Sequence, residues 1–127
     1  MESIYKIKNI YNIFYGFEKD FFKKNGMTLN ESIILYSLAG KESCSAGDLS
    51  SSIGLTNSRT SRIIIGVEEK GYVIRKMGKA DKRQVFFTLT NSGKQKLAEI
   101  QNLENEYRNF ITSLIEHIKK ELCFYTA

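Results

Sequence analysis

The chain reads as a succession of apolar helical stripes, interrupted once by two runs rich in β-branched and aromatic residues. Over residues 3–24, Ile4, Ile7, Tyr11, Phe14 and Phe21 fall at helical spacing, with Ile10, Phe17 and Phe22 off that stripe. A helix apolar around so much of its circumference needs more than one neighbour. Asn25-Gly26 stops it. Thr28-Leu29-Asn30-Glu31 has capping-box spacing and opens a second helix through Ile33, Ile34 and Leu38 to Gly40. After a polar loop, Ser45-Ala46-Gly47-Asp48 opens a short third helix with Ala46, Leu49 and Ile53 on one face. Gly54-Leu55 makes a tight turn, Thr56 caps a fourth helix, and Gly71 ends it. Thr60, Ile63, Ile64 and Val67, spaced i, i+3, i+4, i+7, form its inner face. Two short helices joined by a small glycine-containing turn make a helix-turn-helix.

Tyr72-Val73-Ile74-Arg75 and Val85-Phe86-Phe87-Thr88-Leu89 then read as two strands of a hairpin, with a charged tip at Met77-Gly78-Lys79-Ala80-Asp81-Lys82-Arg83. Thr90 caps the last helical region. Its apolar series Leu97, Ile100, Leu103, Tyr107, Phe110, Leu114, Ile118, Leu122 predicts one long helix or two nearly continuous ones. A stripe sustained that far has a partner helix. The expected fold class is mainly α with a small β-hairpin: a winged helix-turn-helix with N- and C-terminal dimerisation helices. We read residues 1–127 as a single domain, with 28–90 as the winged lobe and 1–24 and 91–124 as dimerisation helices.

The length of 127 residues suits one domain with a core that needs no metal or disulfide. Apolar residues at 42% and charged residues at 26% exclude a disordered chain. The densest apolar run, Ile63-Ile64-Ile65, is too short for a membrane span, and no secretory signal is evident, so the expectation is a cytoplasmic protein without membrane contact. Cys44 and Cys123 make no disulfide framework, and with the lone His117 they do not complete a zinc site, so no metal or cofactor is expected. One histidine, no phosphate loop and no paired nucleophile and base argue against an enzyme.

Charge sharpens the picture. Between Arg59 and Arg83 lie eight basic and three acidic residues, which accounts for the whole net charge of +5. Four of the five arginines are there. That concentration suits either a polyanionic partner or a solvated basic face. On the outer side of the fourth helix stand Ser58, Ser61 and Arg62, flanked by Arg59. Small hydroxyls let a helix enter the major groove, where arginine reaches guanine O6 and N7. Thr56 and Asn57 lie at the helix N-terminus, which favours a phosphate. Lys76, Lys79, Lys82 and Arg83 project from the hairpin, and Asp81 is placed to pair with Arg83 and hold the tip in shape. The plainer alternative is a capped helix with solvated serines and a solvated turn.

These residues resemble the MarR family of bacterial transcription regulators. The resemblance rests on Leu55-Thr56-Asn57-Ser58-Arg59-Thr60-Ser61-Arg62, Val67-Glu68-Glu69-Lys70-Gly71-Tyr72-Val73, Asp81-Lys82-Arg83 and Leu89-Thr90-Asn91-Ser92-Gly93, over about residues 45–97. It implies a homodimer with interleaved terminal helices, bound to a near-palindromic operator in double-stranded DNA. The recognition helix would lie in the major groove and the wing at the minor groove, with Asp81 and Arg83 as the wing's Asp-x-Arg element. It also implies a small-molecule effector, often aromatic, and in some members a reactive cysteine. Here Cys44, near Lys41 and just before a helix, is the redox candidate, against the alternative of a small buried filler. Where the family usually has Asp-Arg in mid-helix, this chain has Ile65-Gly66, and its C-terminal region is shorter than typical.

Aromatic residues support dimerisation independently. Seven of the 15 Phe and Tyr residues lie in 1–22 and four beyond residue 105, and aromatics anchor interfaces. The expected dimerisation residues are Ile4, Ile7, Tyr11 and Phe14 with Tyr107, Phe110, Leu114 and Ile118. The function expected is a sequence-specific regulator, most often a repressor in families of this type and released by an effector. The alternative is a winged-helix module that binds an acidic protein partner.

Overall fold

A computed structural model describes the backbone of residues 2–126 and the side chains of 2–122. Cys123, to which the sequence assigns no chemistry, has its side chain outside that range. The chain forms two compact units, Met27–Gln101 and Met1–Gly26 with Asn102–Ala127.

Along the chain the elements are α1 Glu2–Asn25, α2 Leu29–Leu38, β1 Cys44–Ser45, α3 Ala46–Ile53, α4 Asn57–Glu69, β2 Val73–Met77, β3 Val85–Leu89, α5 Asn91–Gln101 and α6 Glu104–Thr126. The expected capping box at Thr28 forms, and the expected cap at Ser45 is a capping box as well. Thr28 Oγ1 accepts from Glu31 N at 3.1 Å while Glu31 Oε1 accepts from Thr28 N at 2.9 Å, and Ser45 and Asp48 repeat the exchange at 3.1 Å each way. Gly54, left-handed at φ 71°, turns the chain from α3 towards α4. Ile34, Leu35 and Leu38 of α2, Leu49 of α3, Ile64 and Val67 of α4, Val73 and Phe87 of the sheet, and Leu97 and Ile100 of α5 form the core.

Four details depart from the sequence reading. The sheet has three strands in the order β1-β3-β2, all antiparallel, because Cys44 and Ser45 pair with Phe87 and Phe86 in what the pattern reads as a polar loop. Two residues are too few to show a period of two. Strand β2 begins at Val73 and runs on to Met77, since its pairing with β3 continues to Met77↔Val85. Ala46, expected inside, is exposed. Residues 91–101, grouped by the sequence with the terminal helices, form α5 and cluster with residues 27–101.

In the other unit α1 and α6 pack against each other, with ion pairs joining Lys6 to Glu121 at 3.5 Å and Lys24 to Glu106 at 2.6 Å. The early residues of one helix meet the late residues of the other, so the pair is antiparallel. Its centre is aromatic: the Phe17 and Phe110 rings stack at 4.3 Å, and Tyr107 lies 6.2 Å from Phe17 and 6.0 Å from Phe21. Burial pushes the Tyr107 hydroxyl above its ordinary pKa. Phe14, Phe17 and Phe21 of α1 meet rings of α6, and Ile10 and Ile13 are half-buried, whereas Ile4, Ile7 and Tyr11 are exposed. The stripe that the spacing picks out is therefore largely the outward one.

Candidate nucleic-acid interface

Helix α4 owes its start to Thr56, whose extended backbone stops the helix and whose Oγ1 accepts from Arg59 N at 3.2 Å. Thr60 is buried and donates its hydroxyl to Thr56 O at 2.8 Å. With Thr60, Ile64 and Val67 turned inward, Asn57, Ser58, Arg59, Ser61 and Arg62 all come to the surface, as does Thr56 before them. Ile65, at 47% exposure, is on the outer side too.

The hairpin presents Lys76, Lys79, Lys82 and Arg83 to solvent. At its tip, Gly78 N donates to Gln84 O at 2.8 Å and Gln84 N to Asp81 O at 3.1 Å. Asp81 Oδ1 accepts from Arg83 N at 2.9 Å and from Arg83 Nε at 3.3 Å, so the acid shapes the turn through its neighbour's backbone. The Arg83 side chain remains 93% exposed, and an ion pair so open contributes little to stability.

Ion pairing sorts the basic cluster into two groups. Arg75 is held by Glu68 through two bonds of 2.9 and 2.6 Å, which raises its pKa further, and its guanidinium lies 5.4 Å from the Phe87 ring. Lys70 is held by Glu31 at 2.6 and 2.8 Å. Arg59, Arg62, Lys76, Lys79 and Lys82, in contrast, have no ion pair among the described residues. The cations that are committed internally lie at the join of α4 with its neighbours. The uncommitted ones lie on the outer helix face and along the hairpin.

The remaining sequence candidates fall elsewhere. Cys44 is buried, with Sγ donating to Ser37 O at 3.9 Å, the situation of a small core filler. Of the residues expected at a dimer interface, Ile4, Ile7, Tyr11 and Phe14 are exposed. Tyr107, Phe110, Leu114 and Ile118 are half-buried, and the rings of Tyr107 and Phe110 are against α1 of the same chain. The exposed apolar residues of α6 are instead Ile111, Ile115 and Leu122. A second stripe at spacings of four and seven was available in the sequence to find them. Among the described residues no group of three or more metal-ligating side chains occurs, and no helix is long and apolar enough to cross a membrane.

A helix-turn-helix followed by a β2–β3 hairpin wing, both carrying cations with no ion pair among the described residues, defines the winged-helix regulators. Residues 17–100 match the family described as transcriptional regulator SarA/Rot, and the chain belongs to that family. That family is one of transcriptional regulators. The HTH-type transcriptional regulator BilQ of Clostridioides difficile is 30% identical over 78 residues, 61% of this chain and 48% of BilQ. The chain thus spans about half the length of the curated relative it matches. AbsC, a MarR family transcriptional regulator from Streptomyces coelicolor, has the same fold at a TM-score of 0.68 and 22% identity, over 93% of this chain and 77% of AbsC. The MarR-like fold expected from the motifs is therefore present. BpsR of Bordetella bronchiseptica, a protein whose DNA binding is regulated by 6-hydroxynicotinic acid, superposes at a TM-score of 0.72 and 16% identity, over 87% of this chain and 76% of BpsR.

Proposed function

We propose that this protein is a cytoplasmic, sequence-specific double-stranded-DNA-binding regulator that acts as a homodimer on a near-palindromic operator and represses transcription. The observation that carries the reading is the set of cations without ion pairs among the described residues, Arg59 and Arg62 on α4 with Lys76, Lys79 and Lys82 on the hairpin. Arg59 and Arg62 reach base edges from a helix face otherwise made of Asn57, Ser58 and Ser61, which are short enough for deep entry into the major groove. Thr56 and Asn57 meet a phosphate at the helix start. The wing cations, with Arg83 positioned by Asp81, lie along the backbone or in the adjacent minor groove.

Dimerisation is supported by the outward residues Ile4, Ile7 and Tyr11 and by Ile111, Ile115 and Leu122, since contiguous exposed apolar residues mark interaction surfaces. A two-fold dimer spaces its recognition helices by about 34–36 Å, one turn of DNA. An effector would act by favouring a dimer whose helices no longer match that spacing. BpsR is the precedent on this fold for control by a small molecule.

Ile65 favours a second reading, a winged helix that docks an acidic protein, because an exposed isoleucine on the reading face also suits a protein contact. Fluorescence anisotropy separates the two. The measurement uses a duplex from the gene's own upstream region and a scrambled duplex, each at two salt concentrations. Preference for the native duplex, with affinity falling steeply as salt rises, is the expected result. Equal, weak binding to both duplexes would sink the specific-DNA reading and leave the protein-docking one.

A further inference from the structure

We infer that Gly66, Glu31 and Lys70 form a lock that sets the position of α4, with Glu31 and Lys70 as positioning residues for the contacts made at the far end of that helix. The part of this that concerns DNA rests on the function proposed above.

Glutamate is almost never fully buried unless it is paired. Here the Glu31 side chain is only 8% exposed. Its Oε1 accepts from Thr28 N at 2.9 Å and from Lys70 Nζ at 2.8 Å, and its Oε2 accepts from Lys70 Nζ at 2.6 Å. One carboxylate therefore grips both the entry to α2 and the end of α4, which lie 39 positions apart in sequence.

Gly66 makes room for it. A Cβ at that position would lie 2.9 Å from Glu31 Oε2 and 3.7 Å from Cδ. The end of a glutamate side chain usually swings aside from such a contact, but this one is held by three hydrogen bonds. Glycine is otherwise a poor choice inside a helix. The departure from the family's mid-helix pattern at this position thus has a physical purpose: the side chain is missing where the carboxylate sits.

The next contact completes the arrangement. Glu68, in the same last turn, takes Arg75 of β2. The C-terminal end of α4 is thereby tied to α2 through Lys70 and to the wing through Glu68. Its N-terminal half, Asn57–Arg62, has no ion pair among the described residues. From Lys70 to Asn57 the helix spans about 20 Å, so a tilt of about 3° at the locked end moves the reading end by about 1 Å.

Three measurements on the full chain test the lock. In thermal unfolding, Gly66→Ala lowers the midpoint in the wild-type background but raises it in a Glu31→Ala background, where the obstacle is gone. A higher midpoint with Glu31 present would overturn the lock. Lys70→Met strands a buried carboxylate and lowers the midpoint, and adding Glu31→Gln removes the stranded charge and restores it. In that restored double variant the backbone amide signals of Asn57–Arg62 still shift in NMR spectra, and preference for the native duplex over the scrambled one still falls by about five- to tenfold. If amide positions and preference return together with stability, Glu31 and Lys70 only hold the fold, and the positioning role is wrong. If the wild-type protein shows no duplex preference, the DNA reading fails, while the midpoint reversal and the amide signals still decide the lock.

Discussion

Arg62 stands exposed on α4 beside Ser61, with no acid to hold it among the described residues. On the function proposed above, a guanidinium so placed would make two parallel hydrogen bonds to one guanine and lose both when truncated. Arg62→Ala is expected to cost operator affinity by ~1–3 kcal/mol and to relax preference at one base pair. Competition titrations against a set of single-base operator variants measure this, and an unchanged profile removes Arg62 from the reading face. Lys79 is a point charge on the hairpin, suited to phosphate. Lys79→Ala is expected to weaken binding to every duplex alike and to lower the slope of log affinity against log salt by about one. A changed base preference in that variant would mean the wing reads sequence. At this scale the candidate residues were legible because periodicity alone puts Ser58, Ser61 and Arg62 opposite Thr60, Ile64 and Val67. Which cations stay free was not, because the partners of Lys70 and Arg75 lie 39 and 7 positions away.

Among the elements, α3 and α5 depend most visibly on single residues. Bonds from Ser45, first from its backbone N–H and then from its hydroxyl, hold the Asp48 carboxyl below its ordinary value of 3.8, with Lys41 adding to the effect. A depressed folded-state pKa contributes stability that is present above the ordinary value and lost as pH falls through the depressed one. The wild type is therefore expected to lose thermal midpoint between about pH 5 and pH 2 more steeply than Asp48→Asn, and parallel curves would show that the cap contributes nothing. In α5, a Cβ at Gly93 would collide with the Tyr72 carbonyl oxygen, which is itself fixed by a 3.0 Å bond from Thr90 N. Gly93→Ala is expected to destabilise by ~1–3 kcal/mol in urea unfolding, and a neutral result would mean that this approach relaxes freely. The caps, turns and four of the helix starts were legible because their signals are local. The strand β1 was not, because what makes Cys44 and Ser45 a strand is Phe87 and Phe86, far along the chain.

For the molecule as a whole, the terminal helices pose the question of what covers their apolar surface. Spacing identified α1 as apolar all round, but it could not tell which side meets α6 within the chain, since both sides are apolar. The structure assigns Ile10, Ile13, Phe17 and Phe21 inward and leaves Ile7, Ile111 and Ile115 outside. Ile111→Asp with Ile115→Asp is expected to weaken self-association by about tenfold or more while the far-ultraviolet circular dichroism is retained. Sedimentation velocity over a concentration series checks this, and an undisturbed dimer would place the interface on another surface. One further consequence concerns the order in which the wing is assembled. The β2–β3 hairpin closes across a short tip, whereas β1 reaches β3 from roughly forty positions away, at a far larger loss of chain entropy. The hairpin can therefore form by itself, with one edge of its central strand bare. That edge is covered only when α3, whose cap Ser45 is also the last residue of β1, has docked. Closure of the sheet and completion of the helix-turn-helix are thus a single event, and a partly folded chain offers an open strand edge to its neighbours until that event has taken place.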